Sequence, residues 1–136
     1  MVRIDVEYTG GLRCRAVHVP SKAELVSDAP RDNHGKGEAF SPTDTLATSL
    51  ASCMLTTMGI LAQKRGYAIE GSSAYVDKHM TTEAPRRVAK LFVRVNMRAA
   101  AVDEAGKRAL VDVAESCPVR LSLAEHVVVD TDYVWV

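Results

Sequence analysis

From Thr45 to Gln63 the chain carries no charged side chain. A run of that length either crosses a membrane or is buried inside a folded domain. Six of its positions are Ser or Thr, and no other stretch resembles a span. The run therefore reads as a buried helix of a soluble protein. Ser41-Pro42-Thr43-Asp44 supplies its start: Ser41 can cap, Pro42 suits the first turn, and Asp44 is the acidic arm of a capping box. The helix is expected to reach about Arg65, with Gly66 as its stop. Leu46, Leu50, Cys53, Met54 and Leu61 lie on one side, and Ala47, Ala51, Leu55, Met58 and Ala62 on another. A helix apolar or small on most faces is expected at the centre of a fold, covered on several sides.

The remaining segments arrange themselves around that helix. Val2–Tyr8 and Leu12–Val19 read as strands joined by a tight turn at Thr9-Gly10-Gly11, with a short third strand at Glu24–Ser27. On the second strand Leu12, Cys14, Ala16 and His18 share a face, and Arg13 and Arg15 take the other. Asp28–Glu38, with Pro30, Gly35 and Gly37, is a loop. After the helix, Tyr67–Thr81 and Arg87–Arg98 are strand candidates, the second with a slip near Ala89-Lys90. Asp103–Ser116 reads as a second helix that Pro118 breaks. Val119–Glu125 can restart as a short helix, and His126–Val136 is a last strand. This order predicts an α+β domain with mostly antiparallel sheet, a single domain over 1–136.

Charge and cysteine usage narrow the function. Lys plus Arg equals Asp plus Glu, 17 each, so there is no electrostatic case for nucleic acid or an anionic membrane. The opening MVRIDVEY alternates like a strand and does not look like a secretory leader. Three cysteines without a C-x-x-C argue against both a disulfide framework and a zinc ribbon, and fit a cytoplasmic protein with individually meaningful thiols. The four histidines form no metal-binding pair, and Gly35-Lys36-Gly37 lacks the rest of a phosphate or dinucleotide loop.

The thiols carry what chemistry there is. A cysteine in an apolar helix is more often a small hydrophobe than a nucleophile, and Cys14, alternating with apolar neighbours, reads that way. Cys53 differs because Cys117 sits at a helix break before Pro118, where a restarting helix would favour a thiolate. Two such cysteines suit a peroxidase pair: one is oxidised to a sulfenic acid, and the other condenses with it. A cation must also hold the departing oxygen. Arg13 and Arg15 are candidates, although solvated edge-strand charges explain them equally well. Glu38 and Asp44 flank the helix start and could orient such an arginine, with a plain helix cap favoured for Asp44.

In order along the chain, Gly37-Glu38-Ala39-Phe40-Ser41-Pro42-Thr43-Asp44-Thr45-Leu46, Leu50-Ala51-Ser52-Cys53 and Ser116-Cys117-Pro118-Val119 resemble the OsmC/Ohr family of thiol-dependent peroxide-resistance proteins. Tyr8-Thr9-Gly10-Gly11-Leu12-Arg13 and Pro85-Arg86-Arg87 add to the likeness. The resemblance implies an intertwined homodimer, with sheets wrapped around two long central helices. It implies reduction of organic hydroperoxides in oxidative-stress defence, Cys53 attacking and Cys117 resolving. It further implies an external dithiol reductant of the dihydrolipoyl type and no bound cofactor or metal. The family's well-studied members place a glutamate after the helix-start proline, where it orients a catalytic arginine. Thr43 stands there in this chain, with Asp44 next, which points to a less-characterised OsmC-like branch. On the same scaffold, a small-molecule-binding or redox-sensing protein without turnover is the alternative.

Overall fold

The computed structural model describes residues 1–136. It is an α+β fold with two three-stranded sheets, and the chain divides into two compact units, Met1–Leu46 and Ala47–Val136.

In the first unit, β1 (Ile4–Gly10), β2 (Arg13–His18) and β3 (Glu24–Asp28) form an antiparallel sheet in chain order. The hairpin between β1 and β2 turns on Gly11 and Leu12, both left-handed at φ 61° and 62°. A two-residue turn of that hand matches the natural twist of the strands. Leu12 therefore belongs to the turn, and the strand expected from Leu12 begins one residue later. The register places Ile4, Val6 and Tyr8 opposite His18, Ala16 and Cys14, and Leu25 opposite Ala16. These residues share one face, on which Ile4, Val6, Tyr8 and Leu25 are exposed. After β3 the chain makes a single 3-10 turn at Arg31–Asn33 and reaches the start of the long helix.

That helix, α1, runs from Pro42 to Arg65. Its start is the reciprocal capping box expected: the Ser41 N–H donates to Asp44 Oδ2 at 2.8 Å, and the Asp44 N–H donates to Ser41 Oγ at 3.1 Å. Its end is a left-handed Gly66 (φ 70°), with the Tyr67 N–H closing back onto the Ala62 carbonyl at 2.9 Å. By length and composition α1 could cross a membrane. Here it buries one stripe, Ala47, Leu50, Ala51, Met54, Met58 and Ala62. The expected cover on several sides is not supplied by this chain, since Leu46 and Ile60 on the remaining faces are exposed.

The second unit adds β4 (Ser73–Met80), β5 (Val88–Met97), α2 (Glu104–Glu115), α3 (Pro118–Ser122) and β6 (Val128–Trp135), with sheet order β4-β5-β6. The strand expected from Tyr67 starts only at Ser73, because left-handed residues at Gly66 and Gly71 and a Ser72-to-Ile69 turn occupy the intervening segment. Central β5 buries Val88, Leu91, Val93, Val95 and Met97. The step from 88 to 91 breaks the alternation, and the pairing explains it. Met80 faces Val88 while His79 faces Lys90, so Ala89 is the extra residue of a bulge that restores the core face. β4 runs antiparallel to β5, but β6 runs parallel to it. A parallel neighbour needs a crossover, and residues 98–127 with α2 and α3 provide it. Leu110 and Ala114 of α2 join Leu50, Met54 and Met58 and the β5 row in one core.

Candidate functional site

Cys53 lies midway along α1, half-buried, and packs against the core of the second unit. Its carbonyl accepts from the Thr57 hydroxyl one turn on, at 3.0 Å. Cys117 is fully buried and is the N-cap of α3, with Pro118 at the first helical position. Its sulfur accepts from the Arg120 N–H at 3.5 Å. Both cysteines are free thiols, and Cys53 is a near side-chain neighbour of Cys117.

The electrostatics of Cys117 reverse one expectation. A helix start favours a thiolate, and the Arg120 and Val119 amides do pull the Cys117 pKa down. Burial outweighs them, and the neighbouring Cys53 adds to it, so the net effect pushes the Cys117 thiol above its ordinary value. The five residues of α3 offer too little dipole to offset the removal of the sulfur from water. Cys117 is thus a thiol that holds its proton beside a less buried partner.

The first unit gathers the charged candidates. Antiparallel pairing sets Arg13 directly opposite Asp28. The Arg13 guanidinium donates to Asp28 Oδ2 at 3.4 Å and also bonds Glu38. The Glu38 N–H donates to the same Asp28 oxygen at 2.9 Å, which closes the loop back onto β3. Asp28 is fully buried and its Oδ1 has no partner within the chain. The Glu38 amide and the Arg13 guanidinium, opposed by burial, hold the Asp28 carboxyl below the usual carboxylate range. Arg15 pairs instead with Glu24, with Nε 2.9 Å from Oε2. Asp44 serves the helix cap.

The structure therefore brings Cys53 and Cys117 together, and Arg13 and Glu38 together. Arg15 and Asp44 have separate local partners. Sequence reading did not single out Asp28, placed at the start of a polar loop. Its cross-strand position opposite an arginine was the available signal, but it required the register of β2 against β3. No group of three or more His, Cys, Asp or Glu side chains is arranged to hold a metal ion.

Beside the thiol pair, Thr57, Ile60, Leu61, Lys64, Val113 and Ser116 line a groove of about 290 Å³ between α1 and α2. Thr57 is one helical turn from Cys53, and Ser116 directly precedes Cys117. Most of this lining is apolar, with Lys64 as its single charge.

Residues 35–132 match the family described as OsmC-like protein. A solved structure from Psychrobacter arcticus 273-4, provisionally described as an osmotic stress induced and detoxification response protein, is 41% identical. It superposes with a TM-score of 0.91 over 98% of this chain and 96% of that one. An OsmC-like protein from Mycoplasma pneumoniae is 16% identical, with a TM-score of 0.82 over 100% of this chain and 97% of that one. A Legionella pneumophila structure described as an organic hydroperoxide resistance protein OsmC is 20% identical, with a TM-score of 0.73 over 98% and 96%. These last two likenesses concern the fold. No match is found among curated proteins.

Proposed function

Since the chain belongs to the OsmC-like protein family, we propose that it is a cysteine-based peroxidase reducing organic hydroperoxides to alcohols through a Cys53–Cys117 disulfide, in oxidative-stress defence. The observation that carries this reading is the pairing of a half-exposed thiol on α1 with a buried, proton-retaining thiol at the α2–α3 break. The descriptions of the Legionella and Psychrobacter proteins point the same way.

The Cys53 thiolate attacks the terminal peroxide oxygen, and the O–O bond breaks. The alkoxide leaves as the alcohol after taking a proton, and Cys53 is left as a sulfenic acid. The Cys117 sulfur then attacks the Cys53 sulfur. Water departs, carrying the sulfenic oxygen and the Cys117 proton, and the disulfide forms. A dithiol of the dihydrolipoyl type returns both electrons by exchange and becomes a disulfide itself. Because Cys117 keeps its proton until this second step, Cys53 acts as the attacking thiol.

In this reading Arg13 is the cation that stabilises the departing oxygen, with Glu38 and Asp28 holding its guanidinium where the family glutamate is replaced by Thr43. The two-carboxylate grip on Arg13 supports that choice over Arg15, whose partner is Glu24 alone. The apolar groove between α1 and α2 suits a bulky alkyl group rather than hydrogen peroxide. The protein works as a cytoplasmic homodimer, without bound cofactor, metal or nucleic acid. The partner copy covers the apolar faces of α1 and of the first sheet, which this chain leaves exposed.

Steady-state peroxide consumption with dihydrolipoamide tests the reading. A bulky alkyl hydroperoxide should be turned over faster than hydrogen peroxide, and Cys53→Ser should abolish turnover. Undiminished turnover in Cys53→Ser would overturn it. The groove also favours a second reading, a ligand-binding or redox-sensing protein. Oxidation that stops after one equivalent of peroxide despite excess dithiol would select that one.

A further inference from the structure

The peroxidase reading leaves unused a polar network in the second unit. Glu115 is the last residue of α2, and Arg120 is the third of α3. Glu115 Oε1 accepts from the hydroxyls of Thr131 and Tyr133 on β6, each at 2.7 Å. Its Oε2 pairs with Arg120 Nη2 at 2.9 Å. The Arg120 backbone N–H is the donor to Cys117 Sγ. Arg120 is therefore gripped at both ends, by a carboxylate pinned to the sheet and by the thiol.

We propose that the Glu115–Arg120 pair, anchored by Tyr133 and Thr131, is a positioning device that holds the Cys117 turn in place for disulfide formation with Cys53. The inference rests on the reading that these two cysteines form a redox disulfide.

Val119, and Leu123 just past its end, pack α3 against the core, but only as partly buried side chains. Pro118 prevents α2 from continuing through the break. A five-residue helix is not stable by itself, and none of the residues of α3 is fully buried. Cys117 is buried, but its sulfur is the group that must react, so its own packing cannot be the only anchor. Beyond that packing and the turn's own backbone bonds, the charge-assisted hydrogen bonds that tie it to the sheet all lie on Glu115 and Arg120. Both side chains are half-buried, where an ion pair is less screened than on an open surface. Burial and the bond to Glu115 also raise the Tyr133 pKa, so its hydroxyl stays a donor at any physiological pH. Arg120 Nη1 is buried without a partner in the chain. Such an orphaned donor is costly and is tolerated where the guanidinium is needed in place.

Two thiols held side by side react as if at high concentration, and loosening one lowers that effective molarity. In a glutathione buffer the balanced reaction consumes both protein thiols and one glutathione disulfide, and yields the protein disulfide and two glutathiones. The full-length protein in a Cys14→Ser background would be equilibrated in such buffers. The Cys53–Cys117 disulfide would be quantified by alkylation and mass spectrometry. Glu115→Gln and Arg120→Lys should each lower the equilibrium constant about tenfold, the loss expected from weakening one charge-assisted bond. Tyr133→Phe, which removes one hydroxyl and should fold even if the charge variants do not, should lower it about threefold. Glu104→Gln, which breaks an exposed ion pair with Lys107 at the other end of α2, should leave it unchanged. Equal constants in every protein that folds would overturn the inference while leaving the peroxidase reading intact. Absence of the disulfide in the parent protein would overturn both.

Discussion

At the residue scale, two groups show burial deciding chemistry. Cys117 has a helix-start amide on its sulfur and still keeps its proton, because the thiolate would be charged and removed from water. Iodoacetamide at neutral pH should therefore alkylate Cys53 well before Cys117, read by peptide mass spectrometry on the reduced protein. A Cys117→Ser variant treated with one equivalent of alkyl hydroperoxide should accumulate a dimedone-reactive Cys53. Asp28 is the opposite case, a buried group that stays charged because an amide and a guanidinium serve it. Its folded pKa lies below the unfolded value. Its contribution to stability is thus complete above the ordinary aspartate pKa, about 3.9, and is lost as pH falls through the folded value. Thermal midpoints should fall less steeply on acidification below about pH 5 in Asp28→Asn than in the parent. Cys53 and Cys117 were legible as candidates from their helix and break contexts. Asp28 was not, because its role comes from a strand register that brings residue 28 to residue 13.

At the element scale, local chemistry and local structure agree closely. The capping box at Ser41 and Asp44 and the Gly66 stop appear where residue type requires them, since caps satisfy backbone groups within a few residues. The slip near Ala89 is the bulge that keeps β5 apolar on one face. The hairpin turn shows where residue type misleads. Leu12 alternates with Cys14 and Ala16 as a strand residue does, yet it is left-handed at φ 62°. A branched apolar side chain in that conformation carries strain, and Leu12 is only about half covered by the fold. Leu12→Asn should stabilise the protein by about 0.5–1 kcal/mol, measured by urea denaturation, since asparagine tolerates the left-handed region.

At the scale of the whole molecule, apolar surface is left over. Ile4, Val6, Tyr8 and Leu25 line an exposed sheet face, and Leu46 and Ile60 are exposed on α1. Contiguous apolar patches of this kind mark association surfaces in soluble proteins. The proposed homodimer would cover them. Sedimentation should show a dimer whose dissociation constant rises by at least about tenfold in Val6→Lys and in Ile60→Lys, because each buries a charge where an aliphatic group was hidden. A monomeric parent protein at micromolar concentration would remove the dimer from the proposal.

The uncharged run from Thr45 to Gln63, its caps and the alternation of β5 were sufficient by themselves to define a long apolar helix and an α+β fold, because helix ends and burial patterns are local properties. They did not determine which face of that helix this chain would cover, or that β6 would run parallel to β5. Nor did they reveal that Cys117 would keep its proton, or that Asp28 would meet Arg13. Those outcomes depend on crossover connections, strand register and depth of burial, which bring together residues far apart in the chain. Tertiary structure decides them because a charge or a thiol responds to what surrounds it in space, whatever its neighbours in sequence.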